Sequence, residues 1–144
     1  MGKPFVLVVE VEAIIRMETI QLVEECGYAA LDAPTTDKAM TILESRRDIR
    51  VVFAEIRAHG HQNGMALARA IAERWPLIRL LMTSGTPKAH DFPVEWHYIQ
   101  KPYSGAQIAT ALRTLAIPGL TAEFADRQRS SESLPCLIRP LVLP

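Results

Sequence analysis

Short, unbroken apolar runs constrain this chain more than any other feature. Phe5-Val6-Leu7-Val8-Val9 and Val51-Val52-Phe53-Ala54 offer no polar face, and Leu80-Leu81-Met82 is a third run of the same kind. A strand apolar on both faces must be covered on both, which places it inside a parallel sheet between layers of helices. Ala29 to Ala33 and Trp96 to Gln100 are weaker and more polar, as edge strands can be.

Helical patterns fill the gaps between these runs. Ile15, Leu22, Val23 and Cys26 share one helical face, and Gly27 follows as a C-terminal stop. Ala39, Ile42 and Leu43 repeat the pattern after Thr35-Thr36, either of which can cap. Leu67, Ala68, Ile71 and Trp75 predict a third helix ended by Pro76; Ile108, Ala111, Leu112 and Leu115 predict the last one. Ser104 and Gln107 stand at capping-box spacing before that last helix. The segment from Thr86 to Glu95 holds Pro87 and Pro93 and has room for a short helix at most. The alternation predicts a doubly wound α/β fold. Its functional crevice should lie beyond the carboxyl ends of the strands, at Glu10 to Glu12, Glu55 to Arg57, Thr83 to Gly85 and Lys101.

With 144 residues and 49% apolar content, the chain suits one domain, expected over residues 1–117, and a proline-containing tail over 118–144. The tail stretch Ser133 to Pro144 is apolar but broken by Pro135 and Pro140, too short and too interrupted for a membrane helix. It reads as a loosely packed tail or as a segment that docks on this or another subunit. Lysine plus arginine and aspartate plus glutamate number 16 each, and no basic stripe stands out, which argues against a nucleic-acid partner. The N-terminus lacks a signal-peptide pattern. Cys26 and Cys136 are far apart without metal-ligand spacing, as expected of reduced thiols in a cytoplasmic protein.

At those four strand ends, VLVVEVE (6–12), VVFAEIRAHG (51–60), LLMTSG (80–85) and QKPY (100–103), the sequence resembles the receiver domains of bacterial response regulators. The resemblance covers about residues 3 to 116. It implies a flavodoxin-like (βα)5 fold, a parallel five-stranded sheet of order 2-1-3-4-5 with a short fourth helix. It also implies a role in phosphorelay signalling. In that family two adjacent acids after the first strand and an aspartate after the third hold magnesium, and that aspartate accepts a phosphoryl group from a histidine kinase. A hydroxyl residue and a lysine then contact the phosphoryl oxygens.

Mapped onto this chain, Lys101 matches the lysine, with Pro102 after it, and Thr83, followed by Ser84, matches the hydroxyl position. The resemblance implies a cis Lys101-Pro102 bond. Glu10 matches the first acid, but Val11 stands where the magnesium-ligating acid is expected, and Glu55 occupies the phosphoacceptor position. Three carboxylates around one lysine leave an excess of about two negative charges for a divalent ion; here the excess is about one. Any ion would have Glu10, Glu55 and the Arg57 backbone to hold it, so magnesium is expected to bind weakly or not at all. Glutamate is longer than aspartate by one methylene, a displacement of roughly an ångström that matters for in-line transfer. The same length can carry Glu55 towards Lys101 and Thr83, as a built-in partial mimic of the phosphorylated state; the alternative is a decayed site with a solvated acid.

Glu12 is one position beyond the missing acid. It is expected to favour the dipole of the first helix, with a rescuing swing into the pocket as the alternative. Tyr98 resembles the family's aromatic switch position. Trp96 alternates onto the same strand face, so the two predict an aromatic patch on an output surface, suited to a protein partner or a twin. Among the histidines, His59 and His61 flank Gly60 without an obvious third ligand; His90 and His97 form no pattern.

Three function classes follow. The first is a non-enzymatic receiver-like module that binds a histidine kinase or another signalling protein and is not phosphorylated in the usual way. The second is a working phosphate-accepting regulator that uses Glu55 or a rescued metal site. The third, an enzyme on the same fold, lacks support: there is no G-x-S-x-G motif, and Glu10-Val11-Glu12 stands where a phosphate-binding glycine loop would follow the first strand.

Overall fold

A computed structural model describes residues 4–57, 60, 63–85, 93 and 96–115. Five strands, β1 (Phe5–Val9), β2 (Ala29–Ala33), β3 (Ile49–Glu55), β4 (Arg79–Ser84) and β5 (His97–Gln100), form one sheet. Four helices lie among them: α1 (Ala13–Glu25), α2 (Thr36–Ser45), α3 (Gly64–Arg74) and α4 (Gly105–Leu115). All neighbouring strands run parallel, in the order β2-β1-β3-β4-β5. This is the expected arrangement. The short helix expected between Thr86 and Glu95, the tail 118–144, and His59, His61 and His90 lie outside the described residues.

Alternation along each strand builds two cores. Leu7, Val9, Val52, Ala54, Leu80 and Met82 meet α2 and α3 on one face. Val6, Val8, Val51, Phe53 and Leu81 meet α1 and α4 on the other. Each fully buried side chain of this size contributes roughly 1.5–3 kcal/mol of transfer free energy, so the doubly covered central strands anchor the fold. β1 and β3 occupy the middle of the sheet, and the ends of both therefore project rigidly into the crevice.

Local signals set the helix limits. Thr35 caps α2 by accepting from the Lys38 amide at 3.1 Å, and Asn63 caps α3 by accepting from Ala66 at 2.9 Å. The capping box before α4 is complete: Gln107 N donates to Ser104 Oγ at 3.1 Å, and Ser104 N donates to Gln107 Oε1 at 2.8 Å. Gly27 ends α1 with φ +93°, a left-handed conformation suited to glycine. The Lys101-Pro102 bond is cis, as the resemblance implied.

One expectation needs correction, the aromatic patch on an output surface. Trp96 is buried in the α2/α3-side core, 9% exposed, and Tyr98 is half-buried against the same cluster. The aromatic pair faces inward more than outward, because alternation fixes a shared strand face but not whether that face is covered. The exposed large apolar side chains among the described residues are instead Val11, Ile14, Met17 and Leu77.

Candidate functional site

The ends of β1, β3 and β5 bring Glu10, Glu55 and Lys101 together. Lys101 Nζ lies 2.8 Å from Glu10 Oε1 and 2.5 Å from Glu55 Oε1. Both carboxylate side chains are almost fully buried, and the lysine is largely so. The remaining oxygens are also engaged. Glu10 Oε2 accepts the Glu12 amide at 3.0 Å, and Glu55 Oε2 accepts the Arg57 amide at 3.3 Å. Each acid thus uses one oxygen to fold its own loop and the other to meet the ammonium.

Burial is the largest single influence on the Lys101 pKa and lowers it. The bonds and charges of Glu10 and Glu55 together outweigh it, and the net shift is upward. The ammonium is therefore firmly charged at neutral pH.

Strand pairing carries these groups into place. Glu55 pairs with Thr83 across β3 and β4, and the Ile56 amide donates to the Thr83 carbonyl at 2.8 Å. Lys101 N donates to the Ser84 carbonyl at 2.8 Å, which fixes where the lysine leaves the edge strand. Thr83 and Ser84 are both buried. Thr83 Oγ1 has no hydrogen-bond partner among the described residues. Glu55 thus reaches Lys101, as the longer stem suggested, but makes no hydrogen bond to the Thr83 hydroxyl.

The other expected residues lie around this core. Val11 is 39% exposed and offers no oxygen. Glu12 caps α1 without a side-chain cap bond, and its carboxylate is exposed. Pro102 is exposed on the loop after β5. Among the described residues no group of three or more His, Cys, Asp or Glu side chains could hold a metal.

Three supports were not foreseen. Arg16 folds back so that Nη1 donates to the Glu10 carbonyl at 2.8 Å while Nε meets Asp32 at 3.3 Å. Tyr103 and Thr19 share a hydroxyl hydrogen bond of 2.6 Å that ties the loop after Lys101 to α1. Burial, the leading cause, raises the Tyr103 pKa, so the hydroxyl stays protonated. Gly64 opens α3 directly beneath Glu55. A Cβ there would run into the Glu55 carbonyl and come within 2.7 Å of the Ile56 carbonyl. The glycine was visible in the sequence; its crowding was not.

Superposition on solved structures settles the architecture. A receiver protein from Sinorhizobium medicae WSM419 matches with a TM-score of 0.72 at 24% identity, over 79% of this chain and 94% of that one. The fold is that of receiver domains. The signal receiver domain of an HD domain-containing protein from Pseudomonas fluorescens Pf-5 matches at 0.71 and 20% identity, over 88% of this chain and 99% of that one. The response regulator TrrA from Thermotoga maritima, solved with Mg(2+)-BeF, matches at 0.69 and 18% identity, over 78% and 98%. In sequence, the receiver-fold chain is 25% identical over 120 residues to the sensor kinase CckA of Brucella abortus (strain 2308). That stretch is 79% of this chain and 13% of the kinase's length. No family model matches the chain.

Proposed function

We propose that this chain is an atypical receiver module of two-component signalling, without enzymatic activity, that works through protein contact and is not switched by phosphorylation at the usual position. One observation carries the reading: Lys101 is already held between Glu10 and Glu55, with Val11 turned outward beside them. In this fold the lysine serves a phosphoryl group that arrives; here a resident carboxylate meets it.

The donor set does not fit magnesium. The ion seeks about six oxygens in an octahedron. All four carboxylate oxygens of Glu10 and Glu55 already face the ammonium or a backbone amide, and Val11 adds none. Glu55 retains the mimic character expected of it towards the lysine but not towards the threonine.

The partner fits a protein of the same signalling class, such as a histidine kinase, and the likeness to part of a sensor kinase supports this. Val11, Ile14 and Met17 recur every three residues from the β1 end onto α1, an exposed apolar stripe beside the site. That stripe is a better contact surface than the Trp96/Tyr98 face, where Trp96 is buried. A cytoplasmic location suits this role, and among the described residues no helix is long and apolar enough to cross a membrane.

The test is incubation with magnesium and acetyl phosphate followed by intact mass, on the wild-type chain and on a Val11→Asp/Glu55→Asp variant. The wild type should stay unmodified, and the variant should acquire a phosphate adduct. A stoichiometric, hydroxylamine-labile adduct on the wild type would instead establish a working phosphate-accepting regulator.

A further inference from the structure

At the opposite end of the sheet, where α2 and α3 finish and β3 begins, the surface opens into a groove of about 570 Å³. Arg46, Arg47, Arg50 and Arg74 line it around the half-buried Trp75, with Glu44 the acid among its lining residues. The sequence shows no basic stripe because these arginines come from two segments 24 or more positions apart. The fold assembles them.

Two of the four are braced. Arg46 meets Asp48 at 2.7 Å and lies 4.4 Å from the centre of the Phe5 ring. Arg74 meets Glu44 at 3.2 Å and lies 4.4 Å from the centre of the Trp75 ring. These contacts orient their guanidinium planes. Arg47 and Arg50 are exposed, and among the described residues neither is ion-paired. Four guanidinium groups against the carboxylates of Glu44 and Asp48 leave an excess of two positive charges.

The residue type is informative. The chain's basic charge is twelve arginines to four lysines, and the groove uses arginine throughout. A guanidinium presents a planar fork that grips phosphate through two parallel bonds and stacks on flat rings. The volume lies inside the roughly 300–1,000 Å³ range of small-ligand sites. Trp75 beneath Arg74, with Leu77 exposed on the rim, adds a flat apolar side to the charged one.

We infer that this groove binds a small phosphate-bearing ligand of nucleotide size, its phosphates held by Arg47 and Arg50 and its ring resting against the Trp75–Arg74 stack. The site lies at the amino end of β3, whereas Glu55 closes the carboxyl end, so it is separate from the Lys101 cluster.

The chain has two tryptophans, so a Trp96→Phe variant leaves Trp75 as the fluorescent reporter. Full-length protein at 150 mM salt is titrated with ATP, GTP, tripolyphosphate, sulfate and a short single-stranded oligonucleotide, followed by Trp75 emission and calorimetry. A nucleoside triphosphate should saturate one site with a Kd below about 100 µM. Arg47→Ala/Arg50→Ala should weaken it at least about tenfold, while Arg69→Ala, an exposed arginine of α3 outside the groove, should not. Unchanged circular dichroism would show that the double variant folds. Three results would overturn the inference: no saturable binding below about 1 mM, equal affinity for tripolyphosphate, or binding of the oligonucleotide alone.

Discussion

Replacing Lys101 with methionine tests whether the ammonium is what allows two acids to share this crevice. Methionine keeps most of the apolar stem, so the change isolates the charge. Lys101, Glu10 and Glu55 side chains are 17%, 4% and 7% exposed, so water screens the pair weakly. Both acids approach the same nitrogen, which confines their oxygens to about 5 Å of each other. At an effective dielectric near 20, two like charges at that separation repel by about 3 kcal/mol.

With the ammonium gone this repulsion is no longer offset, so Lys101→Met should lose about 3 kcal/mol of stability at pH 7, the scale expected when one partner of a buried ion pair is removed. Urea titrations of wild type and variant, followed by circular dichroism and tryptophan emission, measure the difference. A loss below about 1 kcal/mol would refute the reasoning.

Tyr103→Phe removes the partner of the buried Thr19 hydroxyl and should cost about 1–2 kcal/mol in the same titration. Gly64→Ala places a methyl group against the Glu55 and Ile56 carbonyls and should cost roughly 2–3 kcal/mol, read as a lower urea midpoint. Because Glu10 and Glu55 raise the Lys101 pKa above 10.5, its stabilisation is complete below that value and is lost as pH rises through the folded one. Tyr103, raised above 10.0 chiefly by burial, acts in the same direction. Alkaline unfolding compared in a Tyr103→Phe background should therefore be steeper above pH 10.5 with Lys101 than with Met at that position.

The central strands could be read from the sequence because burial on both faces leaves nothing to alternate. Once they were placed, their ends named Glu10, Glu55, Thr83 and Lys101. Pairs remote in sequence could not be read: the Thr19–Tyr103 bond joins residues 84 apart, and the arginine groove joins two turns that look unrelated along the chain. Trp96 was misplaced for another reason, since a period of two does not say which side of an edge strand is covered. On α1, Ile14 and Met17 are 70% and 66% exposed while Thr19 is buried, so hydrophobicity alone misjudges that helix.

The position of Lys101 has a consequence for how the molecule opens. β5 is a four-residue edge strand whose ladder partner is β4, and such a strand would ordinarily fray by itself. Its lysine reaches past β4 to the ends of β3 and β1, so fraying must also strip the countercharge from two carboxylates at the middle of the sheet. The amide hydrogens of Ile99 and Lys101, which face β4, should then exchange with deuterium on the slow timescale of the central strands, because edge and centre open as one cooperative unit.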